Sequence, residues 1–189
     1  EEAIDASKRL LSFLPSNWRD KPPVVNTGDD PNRADEHLLD IVSADVSQPY
    51  DMHKVIASIV DKGDFFELQA LYAPSMIIGF GRLAGKTVGI VANNPAAGDG
   101  CLDVYTGDKQ ARFIRFCDCF SLPIVTFVDV PGYLPGVKEE HGGIIRHGAK
   151  IIYAYSEAEA PKVTIVVRKA YGGAYIGRCS KSLGGDVVF

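Results

Sequence analysis

Residues 162–175 read KVTIVVRKAYGGAY, an apolar β-branched run followed by two glycines and then by small residues. The run KVTIVV is typical of a buried strand, and the residues after it can begin a helix. Glycine has no Cβ, so Gly172 and Gly173 either form a tight turn or bring backbone N–H groups close to a negative charge. Each unpaired N–H group in the first turn of a helix can stabilise a transition state with a developing oxyanion by on the order of 3–4 kcal/mol. The residues alone leave both interpretations open.

Two earlier strands of the chain are also followed by glycine-rich segments. KTVGIVAN leads into NNPAAGDGCLD, and PIVTFVDV leads into PGYLPG, each with a helical pattern after it. The strands recur near residues 88, 124 and 163, a spacing of about 35–39 residues that is typical of βα units. The sequence therefore predicts an α/β domain with a mainly parallel sheet. Because ligands bind beyond the carboxyl ends of such strands, the three segments predict one site built from backbone groups.

The earlier part of the chain predicts a helix, a linker and a first group of strands. Residues 1–14 have a helical pattern, and residues 15–37 are rich in Pro, Asp and Asn, which is typical of a linker. Asp51 can cap the helix MHKVIASIVDK, and Gly63 can end it. FFELQ and MIIGFGRL then have the pattern of strands, with a tight turn at Ala84–Gly85 before KTVGIVAN.

Periodicity also predicts which side chains face the core. The expected inward positions are Ile4, Leu10, Leu11 and Leu14 in the first helix, Ala111, Phe113, Phe116, Cys117 and Phe120 in DKQARFIRFCDCFSL, and Ile144, Gly148, Ile151, Ile152 and Tyr155 in GGIIRHGAKIIYAYSEA. PIVTFVDV and PKVTIVVR are apolar almost throughout, so both strands are expected to be buried on both faces.

Composition excludes several classes of partner. The chain has 189 residues, of which 46% are hydrophobic, and a formal net charge of −4 without any run of Lys or Arg. These values indicate a globular protein and argue against binding to nucleic acid or to anionic membranes. No apolar run approaches the roughly 20 residues of a membrane helix, so no membrane insertion is expected. The first residues, EEAIDASKRLL, and the last, GGDVVF, favour the hypothesis that the chain is a fragment.

The usual side-chain motifs of catalysis are not found beside the glycine-rich segments. The sequence has no G-x-S-x-G nucleophile elbow, no G-x-x-x-x-G-K-[ST] phosphate loop and no H-E-x-x-H, and no metal site is predicted. His147 is expected to be packed and hydrogen-bonded, and Asp129 to fix the loop after its strand. Glu139 and Glu140 suit the N-terminal end of a helix. Small buried thiols are predicted at Cys101, Cys117, Cys119 and Cys179.

The glycine-rich segments and their neighbours resemble a known family. The motifs are GIVANNP…GCLD, DKQARFIRFCDCFSLPIVTFVDVPGYLPG and GGIIRHGAKIIYAYSEAEAPKVTIVVRKAYGGAY. They are similar to the carboxyltransferase (β) subunit of biotin-dependent acyl-CoA carboxylases. The resemblance is strongest to the propionyl-CoA carboxylase β chain, the methylmalonyl-CoA decarboxylase α subunit and the transcarboxylase large subunit, and it covers nearly the whole chain.

This resemblance implies a crotonase-like α/β fold built from repeated ββα units. Residues 1–14 would end a preceding N-terminal carboxyltransferase domain, residues 15–37 would be the linker, and residues 38–189 a C-terminal, biotin-side domain that is incomplete at its C-terminus. It also implies a homo-oligomer, a hexamer in full-length form, in which N- and C-terminal halves of different subunits meet at each active site. The expected compartment is the cytoplasm, or the mitochondrial matrix in a eukaryote.

The resemblance further implies roles for residues of the glycine-rich segments. The N–H groups of Gly173 and Ala174 would stabilise the ureido oxyanion of biotin while a carboxyl group moves between carboxybiotin and the α-carbon of a short-chain acyl-CoA. Gly172, Gly132 and Tyr133 would line the biotin site. Biotin would arrive on a biotin carboxylase/biotin carboxyl carrier subunit, because this chain has no M-K-M attachment motif.

Two alternative functions share these motifs. One is a biotin-dependent decarboxylase subunit of a sodium-pumping complex, and the other is an inactive, truncated crotonase-fold assembly module. Ile176 matches the family position that tunes acyl chain length, where isoleucine suits longer acyl groups or the decarboxylase relatives. The sequence departs from the family pattern at Ala97–Gly98–Asp99, at Gly177–Arg178 and at Ser182. A charged Arg178 on a packed helix is expected to need a partner or an exposed face.

Overall fold

The computed structural model describes all 189 residues, and its centre is a six-stranded sheet. The strands are β1 (Phe66–Leu68), β2 (Met76–Leu83), β3 (Lys86–Asn93), β4 (Ile124–Val130), β5 (Lys162–Ala170) and β6 (Val187–Val188). Their order in the sheet follows their order in the chain. β1, β2 and β3 pair antiparallel, and β3, β4, β5 and β6 pair parallel. The predicted α/β domain with a mainly parallel sheet is confirmed.

Seven helices surround the sheet. They are α1 (Glu2–Leu11), α2 (Leu38–Ile41), α3 (Met52–Ile59), α4 (Val104–Cys119), α5 (Val137–Gly142), α6 (Ile144–Glu157) and α7 (Gly172–Ile176). The Asp51 carboxylate accepts the His53 N–H at 3.0 Å, which confirms the predicted cap of α3. α4 begins earlier than its apolar pattern suggests, because Asp103 and Thr106 cap each other's backbone N–H groups there. None of the helices has both the length and the hydropathy that crossing a bilayer requires.

The core has two parts because alternate residues of the strands point to opposite faces of the sheet. On one face, Ile78, Val91 and Val128 pack against α4 and α6. On the other face, Ile90 and Phe127 pack against α3. Every residue of β4 is buried, as its sequence predicts. β5 differs from the prediction, since most of its residues are only half-buried; it has only the two-residue β6 on its outer side.

The predicted linker packs against the turn between β2 and β3. The buried Asp61 carboxylate accepts the N–H groups of Ala84 and Gly85 and the Thr27 hydroxyl, at 3.0, 2.7 and 2.9 Å. A Cβ on Gly85, whose φ is +76°, would lie 2.0 Å from the Val25 carbonyl oxygen. The segment around residues 25–27 is therefore held against the domain rather than standing free of it.

Several predicted core positions are wrong. Ile4 and Leu11 of α1 are exposed. The buried side chain is instead Phe13, two residues after the end of α1, whose ring lies near Phe66 and Phe80. Ile152 is 38% exposed, because the inward face of α6 is centred on Ile151 and Tyr155.

The prediction of buried thiols holds for half of the cysteines. Cys117 and Cys179 are buried, Cys101 is half-buried and Cys119 is exposed. Cys117 and Cys119 lie two residues apart at the end of α4, so they point to different sides of the helix.

Candidate functional site

Gly172 and Gly173 form the first turn of α7. β5 ends beside β4, and the Tyr171 N–H then donates to the Val130 carbonyl at 3.3 Å. Gly172 has a φ of +55°, a backbone conformation that residues with a side chain rarely adopt. The first hydrogen bond of the turn runs from the Tyr175 N–H to the Tyr171 carbonyl at 3.2 Å, and no side chain caps the turn. The N–H groups of Gly172, Gly173 and Ala174 therefore precede the intrahelical hydrogen bonds.

The surroundings of these N–H groups decide between a plain turn and a binding site. A Cβ placed on Gly172 or on Gly173 would meet no atom within 4 Å, so no packing requirement excludes a side chain at Gly173. Gly173 is exposed, whereas Ala174 is 1% exposed and its methyl group belongs to the core. The buried Ala174 anchors the turn, and the open side of the turn faces a cavity.

The cavity beside Gly173 has a volume of about 400 Å³. Its lining residues are Tyr133, Glu140, Ile144, Ile145, Gly148, Ala149, Ile152 and Gly173. The structure thus brings together Tyr133 and Gly173, two of the predicted site residues. Apolar side chains of α6 form much of its wall, with Glu140 as its one carboxylate.

Tyr133 is held in the cavity wall from two sides. The PGYLPG loop pairs with Leu102, whose N–H donates to the Gly132 carbonyl at 3.0 Å and whose carbonyl accepts the Leu134 N–H at 2.7 Å. The phenol ring lies on Gly148 of α6, where a Cβ would be 2.8 Å from the Tyr133 hydroxyl oxygen. Burial raises the pKa of Tyr133, so its hydroxyl is uncharged at neutral pH.

The other predicted site residues lie near the cavity without lining it. Gly132 precedes Tyr133 in the loop, and its carbonyl is used by Leu102. Ala174 and Gly172 flank Gly173 in α7. Ile176, the predicted selectivity residue, is 46% exposed at the C-terminal end of α7. Periodicity did not identify Ile145, because it lies on the outward face of α6 and is 79% exposed.

Asp129 fixes the ends of β4 and β5, as the sequence predicts. Its buried carboxylate accepts the Arg168 Nε–H at 3.1 Å and the Lys169 N–H at 3.0 Å. The Arg168 guanidinium also donates to the carbonyls of Asp45 and Gln48, at 3.2 and 3.0 Å. This network ties the exit of β5, and with it the start of α7, to the segment before α3.

The sequence predicts that Arg178 needs a partner or an exposed face, and the structure gives it neutral hydrogen-bond partners. It is fully buried, and its guanidinium donates to the Gln110 side chain and to the carbonyls of Val91 and Phe127. No carboxylate contacts it, and the buried Arg178 Nε and Gln110 Nε2 have no hydrogen-bond partner. Burial lowers the pKa of Arg178. The Arg178 guanidinium belongs to the residue four positions after Ala174. The Arg178 N–H donates to the Tyr175 carbonyl, which continues the turn of α7.

His147 is packed and hydrogen-bonded, as predicted. Its Nδ1 atom lies 2.8 Å from the Asp108 carboxylate, and His147 does not line the cavity beside Gly173. No three His, Cys, Asp or Glu side chains converge as a metal site would require.

The fold defines a class. The mixed sheet with its packed helices is that of the crotonase-like carboxyltransferase fold. A crystal structure of transcarboxylase 12S superposes on this chain with a TM-score of 0.96 and 52% identity, covering 98% of this chain and 36% of that one. It is described as a hexamer assembly with hydrolysed methylmalonyl-coenzyme A bound.

The chain belongs to the carboxyl transferase domain family, whose model matches residues 1–189. It is 53% identical to the methylmalonyl-CoA decarboxylase subunit alpha of Veillonella parvula, over 100% of this chain and 37% of that protein. It is also 53% identical to the carboxyltransferase subunit of propionyl-CoA carboxylase of Haloferax mediterranei, with the same coverage. The chain thus spans little more than a third of the length of these relatives.

Proposed function

We propose that this chain is the biotin-side part of a carboxyltransferase that moves a carboxyl group between carboxybiotin and the α-carbon of a short-chain acyl-CoA of the propionyl-CoA/methylmalonyl-CoA class. The observation that carries the proposal is the first turn of α7, in which Gly173 lines the cavity of Tyr133 and has no intrahelical partner for its N–H. The substrate class is supported by relatives that share about half of their residues with this chain and are named for carboxyl transfer or decarboxylation on such substrates.

The residues of the site fit a biotin group. A fused bicyclic ring with one urea carbonyl needs an apolar wall and a donor for the oxygen, and the cavity offers Tyr133, Ile144 and the Gly173 N–H. The absence of any atom within 4 Å of a Gly173 Cβ leaves room for a planar group to approach the backbone. When bound, carboxybiotin supplies the activated carboxyl group.

The chain's own residues have electrostatic and positioning roles in this proposal. The N–H groups of Gly173 and Ala174 would hold negative charge on the ureido oxygen, at the positive end of the short helix. Tyr133 would orient the ring and exclude water, because its position is fixed by Gly148 and by the loop contacts to Leu102. Ile176, exposed beside this turn, would contact the acyl group and tune the chain length that fits.

An uncovered apolar surface around the cavity supports an oligomer. Three apolar side chains are exposed there: Ile145 of α6 by 79%, Val137 of α5 by 72%, and Leu134 in the loop before α5 by 42%. Surfaces of this kind are typical of protein interfaces. We propose that the acyl-CoA half of another subunit of a homo-oligomer covers it, and that a biotin carboxyl carrier subunit delivers biotin to it.

The proposal is tested by binding of free biotin to this chain. Crystals soaked with biotin should show the urea oxygen within hydrogen-bond distance of the Gly173 N–H. In solution, Gly173→Pro removes that N–H and should weaken binding about tenfold, the effect of about one hydrogen bond. Gly173→Ala is the comparison, because it keeps the N–H and its Cβ meets no protein atom; its Cβ can only narrow the approach of the ring, so a further loss in Gly173→Pro measures the N–H. Equal affinities of Gly173→Pro and the unchanged protein would overturn the proposal.

The decarboxylase relative supports a second candidate, a decarboxylase subunit. We propose that such a subunit would act in a complex that pumps sodium. A decarboxylase would use the same residues to bind biotin. It would differ from a carboxylase in releasing the carboxyl group as CO₂. Sodium-dependent release of CO₂ by the complete complex would separate it from a carboxylase. An inactive assembly module would instead form the oligomer and bind no biotin.

A further inference from the structure

A second concave surface lies between α4 and α6, and Gly173 does not line it. We call it the α4–α6 groove. It has a volume of about 710 Å³ and is lined by Asp108, Ala111, Arg112, Arg115, Arg146, Ala149, Lys150 and Tyr153. It adjoins the cavity of Tyr133 through Ala149, which lines both. Its volume falls within the range of small-molecule sites, about 300–1,000 Å³.

Helix geometry concentrates positive charge in the groove. On α4, Arg112 and Arg115 follow Asp108 by four and seven residues, and on α6 Lys150 and Tyr153 follow Arg146 by the same steps. Residues at these spacings share one face of a helix, so the two helices present their cations to each other. The groove therefore holds four cationic side chains and one carboxylate, in a chain whose formal net charge is −4.

The single carboxylate of the groove does not neutralise its arginines. Asp108 accepts a hydrogen bond from Lys150 Nζ at 2.6 Å and lies 2.8 Å from His147 Nδ1. Burial alone would raise the pKa of Asp108, but the hydrogen bonds from Lys150 and His147 outweigh it and hold the pKa below its usual value. Asp108 is thus already paired on the α6 side of the groove.

Two guanidinium groups remain free. Arg112 and Arg146 are exposed and form no ion pair and no side-chain hydrogen bond. Arg115 reaches Glu157 only at 3.9 Å, with both side chains about half exposed, and such a pair contributes little. Facing like charges without counter-charges repel one another, and a bound anion removes that cost.

The chemistry of the groove selects the class of anion. Guanidinium groups bind phosphate oxygens in pairs of parallel hydrogen bonds, and two of them on opposite walls match a pyrophosphate. Tyr153 is 59% exposed, with the Arg115 guanidinium 6.0 Å from its ring centre, and so offers an aromatic face to a base. We propose that the α4–α6 groove binds the pyrophosphate of a nucleotide through Arg112 and Arg146. Free ADP and the nucleotide end of a coenzyme A thioester both carry this group.

Calorimetric titration of the 189-residue chain with inorganic pyrophosphate, ADP and coenzyme A tests this proposal. All three should bind at one saturable site, and Arg112→Gln/Arg146→Gln should weaken each at least about tenfold. Lys8→Gln/Lys54→Gln is the matched control, because it removes the same charge from exposed, unpaired side chains of α1 and α3. A coenzyme A affinity well above that of ADP would identify a coenzyme A thioester as the source, and an ADP affinity well above that of coenzyme A would identify a free nucleotide.

Two results would overturn the proposal: no saturable binding of any of the three ligands, or equal losses in the groove variant and the control. Biotin binding beside Gly173 should be unchanged in the groove variant, since neither arginine lines that cavity. Failure of this inference is therefore distinguishable from failure of the proposed function.

Discussion

The Tyr133 hydroxyl lies so close to the backbone of Gly148 that a Cβ there would be 2.8 Å from its oxygen and 3.0 Å from its Cζ. A glycine in the middle of α6 costs helix stability, and here it allows a ring from the PGYLPG loop to lie flat on the helix. Position 148 thus sets the depth of the cavity in which Gly173 is exposed.

Gly148→Ala should displace Tyr133 and destabilise the protein by about 1–3 kcal/mol, since the loop and α6 are both fixed elsewhere. Denaturant unfolding measures this, and biotin binding should weaken in the same variant. Gly142→Ala is the control, because its Cβ would lie 3.4 Å from Val104 Cγ2, an ordinary contact, and should cause no loss. Unchanged stability of Gly148→Ala would contradict the rigid placement of Tyr133.

Asp129→Asn should cost about 3–5 kcal/mol of unfolding free energy, because it leaves the Arg168 guanidinium without its buried counter-charge. The exposed pair of Arg9 and Asp64 provides the comparison, and Asp64→Asn should cost no more than about 1 kcal/mol. If both variants lost the same small amount, the Asp129 network would not be what holds the β5–α7 junction.

Arg178→Met should stabilise the protein by on the order of 1–3 kcal/mol, because an apolar side chain of similar length replaces a buried charge that no carboxylate neutralises. Adding Gln110→Leu should preserve or increase the gain, since Gln110 would otherwise lose its only side-chain partner. Thermal and denaturant unfolding measure both. A loss of stability in Arg178→Met would mean that the hydrogen bonds to the carbonyls of Val91 and Phe127 outweigh the desolvation of the charge.

His53 should make stability fall as pH rises. Burial lowers its pKa, but hydrogen bonds to Asp51 and Glu67, at 2.6 and 3.0 Å, outweigh burial and raise the pKa above 6.5. A raised folded-state pKa gives stability that is fully present below about pH 6.5 and is lost as pH passes the folded-state value. His53→Gln should flatten the dependence between pH 5.5 and 8.5, whereas His37→Gln, at an exposed site, should not.

Thiol labelling should separate the four cysteines. Cys119 is exposed and should react first, Cys101 more slowly because burial raises its pKa, and Cys117 and Cys179 only after unfolding. Cys119→Ser should remove the fast phase and leave the rest unchanged. A fast phase that persists in Cys119→Ser would place another thiol at the surface.

The sequence predicts the strands and the turn at Gly173 because those features are local. β-branched runs, the Asp51 cap and the Ala84–Gly85 turn each depend on a few neighbouring residues. The exposed face of α6 was harder to predict, because Ile145 and Ile152 are as apolar as the buried Ile151. Periodicity identifies an apolar stripe, but the packing of α4 decides which edge of the stripe is covered.

The contacts that assemble the site are distant in sequence, and this explains what was missed. Leu102 holds the PGYLPG loop from about thirty residues away. Asp61 holds the predicted linker through Thr27, and neither residue belongs to a recognisable motif. The groove of Arg112 and Arg146 depends on the pairing of two helices, which single-helix patterns cannot show.

The order of the strands in the sheet, which is their order in the chain, has a consequence for synthesis. No strand has to enter between two strands that are already paired. When a strand leaves the ribosome, the neighbour with which it pairs has therefore already been synthesised. The sheet can grow from the β1 edge toward β6, with α4 and α6 closing over each addition. Premature termination would then shorten the sheet from one edge and leave the strands already joined with their partners.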